Sequence, residues 1–313
     1  MKIVCTLELD APEREQLLQA GGPGIELFSS RDAHAQIAAA GDAEVIYGSV
    51  TPPLLAAAPA LQWVHLASAG VDRFLFPEMV RHPAVMTNAR GVAAVSIAEH
   101  AFALILAFTR GLPLAFRSQQ ERRWAAPSSI EICGQTLGIV GLGRVGREVA
   151  RRAAGFGLRV LAVDLNPVDR PESVACLWPP ERLPDLCAEA DILVNCAPLT
   201  PRTERMIGRE QFARMKPSAL LVNVSRGRVV DQDALVETLR AGRLAGAALD
   251  VMDPEPLPPD SPLWEMPNVI LTAHSATRSQ HFWRRMHELF CENLRRYVAG
   301  EPLLNVVDKR AGF

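Results

Sequence analysis

Three polar residues stand directly behind apolar runs in the second half of the chain. Arg226 follows LLVNVS, Glu255 follows LDVMD in a proline-held loop, and His274 follows VILTA. Short runs rich in branched residues read as buried strands of a parallel sheet. Ligands of such sheets bind at the carboxyl ends of the strands, so the three side chains should open on one edge. Their types complement one another. An imidazole exchanges a proton near neutral pH, and a carboxylate paired with an imidazole favours the charged form and fixes the ring. A guanidinium grips a carboxylate and polarises a neighbouring carbonyl. Singly, each also fits a plainer role: a surface charge, a loop carboxylate, a satisfied core histidine. Glu99 and His100 are a rival acid–base pair, but adjacent residues on a helix do not face each other. His100 reads as a buried, hydrogen-bonded residue.

The elements that must position these side chains are organised around Thr136–Asp164, TLGIVGLGRVGREVARRAAGFGLRVLAVD. A strand over Leu137–Val140 runs into GLGRVG, and a helix follows with Val145, Val149 and Ala153 on one face. Gly141 suits the tight turn, Gly143 leaves a pyrophosphate free to approach the backbone, and Gly146 lets helix and strand pack closely. The helix N-terminus offers N–H donors and a positive dipole end to phosphates. Asp164 comes eighteen residues after Gly146, at the end of the strand Val160–Val163, where its carboxylate accepts from ribose hydroxyls. It would repel a 2′-phosphate, so NAD (NADH) is expected rather than NADP. Glycine-rich turns are common, but here strand, helix and distal acid fall in register. A nicotinamide beside an imidazole makes chemical sense, because hydride transfer to a ketone builds negative charge that a positioned acid must quench.

Composition sets the frame. The chain has 313 residues, 49% of them hydrophobic and 22% charged, with a formal net charge of -2. That length allows two ordinary domains, and that balance excludes nucleic acid or an anionic membrane as the main partner. The cysteines at 5, 133, 176, 187, 196 and 291 form no CxxC pair and no cluster with histidine. Neither structural metal nor a disulfide framework is expected, and a reducing cytoplasm fits. Glu8 and Asp10 come too early for a signal peptide, and the apolar run Ala101–Phe108 is too short to span a bilayer.

Strand–helix alternation fills the rest. Strands are expected at 2–7, 25–28, 45–47, 63–66 and 85–87, then at 192–195, 219–224, 247–251 and 269–271. Helices are expected at 11–20, 183–190, 209–215 and 232–241. The alternation implies parallel sheets, and the first group has no phosphate fingerprint, which marks a separate domain. A long apolar helix over 92–110 should stop at Gly111 and Pro113. A terminal helix over 278–299 should bury Phe282, Leu289, Leu294 and Val298, and the tail should return to the first domain.

From about Trp63 onward the chain resembles the D-isomer-specific 2-hydroxyacid dehydrogenases. The motifs are SAGVD (68–72), NARGV (88–92), AEHAFALIL (98–106), GLGRVG, NCAPLTPRTERMIG (195–208), LLVNVSRGRVVD (220–231), AALDVMDPEPLP (247–258) and SPLWEMPNVILTAHSA (261–276). The resemblance implies two α/β lobes with a cleft between them. Residues 1–98 and 290–313 would form a flavodoxin-like substrate lobe. Residues 99–289 would form a Rossmann-like, doubly wound parallel-sheet cofactor lobe, usually joined into a homodimer. By the same resemblance Arg226 binds a small 2-oxo or 2-hydroxy acid, Glu255 pairs with His274, and His274 exchanges the proton. Backbone N–H groups of Ala69, Gly70 and Val71 would hold the substrate carboxylate. Asp250 would bond the nicotinamide amide, Arg144 and Val145 would meet the pyrophosphate, and Pro198 and Thr203 would line the adenosine. Two departures leave the substrate open: Ala273 stands where the family usually has proline, and Ser275-Ala276-Thr277 where it commonly has glycine. The expected activity is NAD-dependent reduction of glyoxylate- or hydroxypyruvate-like acids. Phosphite or formate oxidation, or a non-enzymatic NAD-sensing protein, are the alternatives.

Overall fold

The computed structural model describes residues 1–165 and 170–313, and the statements below concern these residues. The chain divides into two compact units, Met1–Val92 with Ser279–Phe313, and Ala93–Arg278. The first unit begins with β1 (Lys2–Cys5), α1 (Ala11–Gly21), β2 (Glu26–Ser29), α2 (Ala33–Ala39) and β3 (Val45–Gly48). It continues through α3 (Pro52–Ala56), β4 (Trp63–Leu66), α4 (Pro77–Arg81) and β5 (Val85–Asn88). All five strands are parallel, in the order β2-β1-β3-β4-β5. That is the flavodoxin-like order. β3 and β4 are buried along their whole length, as a parallel sheet covered on both faces requires. One apolar cluster gathers Ile46, Val64, Met79 and Met86; the other gathers Ile3, Tyr47, Trp63 and Phe290. α1 starts at a capping box: Asp10 accepts the Glu13 N–H at 2.8 Å, and the Glu13 carboxylate accepts the Asp10 N–H at 3.0 Å.

The second unit opens with α5 (Ala94–Thr109) and α6 (Leu112–Gln120), followed by β6 (Thr136–Val140), α7 (Arg144–Gly155), β7 (Arg159–Val163) and β8 (Cys176–Trp178). Then come α8 (Leu183–Glu189), β9 (Ile192–Asn195), α9 (Arg209–Arg214), β10 (Leu220–Asn223), α10 (Gln232–Arg240), β11 (Gly246–Leu249) and β12 (Val269–Leu271). The seven-stranded parallel sheet has the order β12-β11-β10-β9-β6-β7-β8. Strand order therefore reverses at β6, and the loop after β6 is the one that carries GLGRVG. α11 (Phe282–Ala299) belongs to the first unit and packs on α1. The tail follows it, with Val306 bridging antiparallel to Thr87 on the edge strand β5, which shields that edge from further pairing.

Four details differ from the sequence reading. The units part at 92/93 and 278/279, before α5 and before α11, whereas a division at 98/99 and 289/290 cuts both helices. Each helix stays whole because its buried stripe packs within one unit: α5 on α7, β10 and β11, and α11 on α1. α5 stops at Thr109, before Gly111 and Pro113 as expected, but a further helix α6 follows, with Pro113 in its first turn, where a missing N–H costs nothing. β8 is an additional short edge strand. Val298 is 55% exposed, since the buried stripe of α11 runs through Met286, Phe290, Cys291 and Leu294. No single helix among the described residues is long and apolar enough to cross a membrane.

Candidate active site

The glycine loop is built by contacts that exclude side chains. Gly141 has φ +88°, and a β-carbon there would lie 2.8 Å from the backbone N of Ala197. A β-carbon on Gly146 would collide with the Gly141 carbonyl, whereas at Gly143 it would meet nothing within 4 Å. Gly143 thus leaves open space at the start of α7, where Arg144 and Val145 begin the helix without a side-chain cap. Uncapped N–H groups facing open space fit a phosphate. Asp164, at the end of β7, accepts the Leu142 N–H at 2.6 Å and so ties the loop to the neighbouring strand. Thr203 closes the loop after β9: its hydroxyl donates to the Pro198 carbonyl at 2.6 Å and accepts the Thr200 N–H at 2.8 Å. Pro198 is exposed.

Arg226, Glu255 and His274 leave the C-terminal ends of the adjacent strands β10, β11 and β12. His274 Nδ1 and Glu255 Oε2 are 2.8 Å apart, and Glu255 Oε1 accepts the Met252 N–H at 3.1 Å. An ionised carboxylate only accepts, so Nδ1 carries the hydrogen of this pair. Nε2 is then the ring atom that can pass a proton to a ligand. The Arg226 loop packs directly on the Glu255 loop, because a β-carbon on Gly227 would collide with the Met252 carbonyl. Gln232 doubles the seam: its amide donates to the Asp253 carbonyl at 2.6 Å and accepts the Asp253 N–H at 3.0 Å. Arg226 itself is half-buried, and Nη1 donates to the Ser225 carbonyl at 2.8 Å.

Asp250 lies beneath the His274 turn and is 1% exposed. Oδ1 accepts the Thr272 hydroxyl at 2.6 Å and the Ser275 N–H at 2.9 Å, and Oδ2 accepts the Ala276 N–H at 3.0 Å. Burial alone would raise this carboxyl, but bonds from His100, Thr272, Ser275 and Ala276 outweigh it and hold the group below the ordinary carboxylate range. His100 Nε2 approaches from α5, 2.9 Å from Thr272 Oγ1 and 3.4 Å from Asp250 Oδ1. The sequence reading of His100 as a buried, hydrogen-bonded residue holds for its hydrogen bonds, whereas its side chain is 22% exposed. Glu99, by contrast, is 64% exposed and faces Arg152 at 3.2 Å.

In the first unit, Ala69, Gly70 and Val71 form the loop after β4. The Ala69 carbonyl accepts Asn88 Nδ2 at 2.7 Å, and the Gly70 carbonyl accepts the Ser68 hydroxyl at 2.8 Å.

Several positioning residues escape a reading of residue type alone. Asn195 and Asn223 end β9 and β10, and Asn195 Nδ2 donates to Asn223 Oδ1 at 2.9 Å. Asn223 Nδ2 in turn donates to the Arg226 carbonyl at 3.0 Å, and its Oδ1 accepts the Ser225 N–H at 3.2 Å. The signal was present in LVNC and LVNV, where an amide closes each of two apolar strands. A buried amide needs partners, and these partners are the loops that carry the site.

The description "D-isomer specific 2-hydroxyacid dehydrogenase, NAD binding domain" belongs to a family whose sequence model matches residues 102–276. The chain is 39% identical over 279 residues to a glyoxylate reductase of Korarchaeum cryptofilum, covering 86% of this chain and 83% of that one. It is 35% identical over 262 residues to a D-3-phosphoglycerate dehydrogenase of Methanocaldococcus jannaschii, covering 83% of this chain but 50% of that longer protein. In structure it is similar to a D-isomer specific 2-hydroxyacid dehydrogenase from Xanthobacter autotrophicus, solved in complex with NADPH and MES. The TM-score is 0.87 at 30% identity, covering 100% and 99% of the two chains.

Proposed function

This chain belongs to the D-isomer-specific 2-hydroxyacid dehydrogenase family, and from that premise we propose that it uses NADH to reduce small 2-oxo acids to D-2-hydroxy acids. Glyoxylate- or hydroxypyruvate-like acids are the favoured substrates. The observation that carries this reading is the His274 Nδ1–Glu255 Oε2 pair at 2.8 Å, on the sheet edge that also carries the glycine loop.

The bound nucleotide supplies the hydride. Everything else falls to the chain. His274 Nε2 gives its proton to the oxygen on which charge develops, while Glu255 holds the ring and stabilises the imidazolium. Arg226 binds the substrate carboxylate and polarises the carbonyl beside it, and the N–H groups of Ala69, Gly70 and Val71 are further carboxylate donors. The N–H groups of Arg144 and Val145, with Gly141, Gly143 and Gly146 clearing the way, take the pyrophosphate. Pro198 and Thr203 line the adenosine, and Asp250 is assigned to the nicotinamide amide. Asp164 sets the preference for NAD over NADP. We read the chain as a homodimer joined through the second unit, supported by the exposed Leu114, Phe116 and Trp124; light scattering that returns the 34.1 kDa monomer would end that reading.

The test is a spectrophotometric panel of 2-oxo acids with NADH and with NADPH, run beside formate and phosphite with NAD. Turnover of glyoxylate or hydroxypyruvate with NADH is expected. Turnover of formate or phosphite alone would displace the proposal, and silence across the panel would favour a nucleotide-sensing protein.

A further inference from the structure

We propose that His100 is a positioning residue for His274, acting through Thr272 and Asp250. The hydrogen-bond accounting runs one way. The Asp250 carboxylate only accepts, so the Thr272 hydroxyl, 2.6 Å from Oδ1, spends its single proton there. Thr272 Oγ1 is then an acceptor toward His100 Nε2 at 2.9 Å, and Nε2 carries hydrogen in either protonation state of the ring. The same Nε2 is 3.4 Å from Asp250 Oδ1, so this N–H lies against both oxygens.

Asp250 passes the constraint on. Its carbonyl accepts the His274 N–H at 2.8 Å, while its carboxylate accepts the next two N–H groups, of Ser275 and Ala276, at 2.9 and 3.0 Å. Three consecutive donors of the turn thus converge on one residue. His274 sits there with φ +48°, a left-handed conformation that a β-carbon disfavours. It persists because the surrounding bonds over-determine it. If Asp250 loses the imidazole and the ordered hydroxyl, only the Ser275 and Ala276 N–H groups still hold its carboxylate. The turn then relaxes and carries the imidazole away from Glu255. His100 reaches this network from α5, far from His274 in sequence, and is 22% exposed.

The kinetic part of the test rests on the acid–base role proposed for His274; the spectroscopic part does not. His100→Phe, His100→Gln and Thr272→Val are made in the full chain. The His274 imidazole is followed by NMR across a pH titration, its resonance assigned by its loss in His274→Gln. The Phe variant should shift the titration midpoint of His274. It should also lower kcat by about tenfold to a hundredfold. His100→Gln, whose amide can still donate to Thr272, should restore both readouts, and Thr272→Val should reproduce the Phe phenotype without adding to it. A wild-type His274 titration in folded His100→Phe overturns the proposal, as does failure of His100→Gln to rescue at an unchanged melting temperature. If His100→Phe does not fold, His100→Leu set against His100→Gln decides by the same readouts. Should the wild-type chain turn over no 2-oxo acid, the function reading falls, and the NMR titration still decides the role of His100.

Discussion

His274 and Glu255 meet at one oxygen of a carboxylate that is held at both: Oε2 faces Nδ1 at 2.8 Å, while Oε1 is fixed by the Met252 N–H at 3.1 Å. The carboxylate therefore orients the ring and is itself held by its own loop. His274→Ala should lower kcat by roughly 10²–10⁴-fold, the usual contribution of a positioned acid, with NADH binding retained. Glu255→Gln keeps the shape but removes the charge-assisted bond, and should cost about 10–10²-fold. Steady-state kinetics with parallel fluorescence titration of NADH checks both. Unchanged turnover in His274→Ala would remove this residue from the mechanism.

We assign the cofactor preference to one side chain. Asp164 caps the loop through the Leu142 N–H at 2.6 Å, and its charge opposes a 2′-phosphate. Wild-type enzyme should show a markedly higher KM for NADPH than for NADH. Asp164→Asn should narrow that gap and also loosen the loop, lowering the melting temperature by a few degrees, as loss of about 1 kcal/mol would. Equal efficiency with both nucleotides in the wild type would mean that Asp164 does not face the ribose.

Gly227→Ala tests the seam between the Arg226 and Glu255 loops. The added methyl collides with the Met252 carbonyl, so the loops must separate, at a cost of about 1–3 kcal/mol. Both stability and kcat/KM should fall, and a variant with wild-type denaturation and kinetics would show that the loops do not depend on this contact.

His65 makes the first unit acid-sensitive. It is fully buried, Nδ1 lies 2.8 Å from Thr87 Oγ1, and Nε2 has no hydrogen-bond partner among the described residues. Burial pushes the imidazole down from 6.5 to about 3. Folding therefore favours the neutral ring. Stability from this group is complete above the unfolded value, 6.5, and is lost progressively as pH falls from there toward 3. The slope is at most about 1.4 kcal/mol per pH unit. Urea unfolding over that range should show the decline, and His65→Gln should flatten it. An identical slope in the variant would place the acid sensitivity elsewhere, with the buried His287 next to be tested.

Local order alone determined much of this protein. Apolar runs of strand length, the alternation with helices, and the register of Gly141, Gly143, Gly146 and Asp164 all depend on neighbours within a few turns of chain. Such patterns are written in periods of two and 3.6 residues and survive without knowledge of the fold. α6 was not legible because proline both stops one helix and starts another, and only packing decides whether a second follows. The rest came from tertiary structure. His100 meets Thr272 across 172 residues, Asn195 meets Asn223 across 28, and Gln232 meets Asp253 across 21. None of these pairs has a spacing that any helix or strand imposes. They exist because strand order brings β9, β10, β11 and β12 side by side and lays α5 against them. Residue types named the chemistry; the crossovers of the sheet chose the partners that hold it in place.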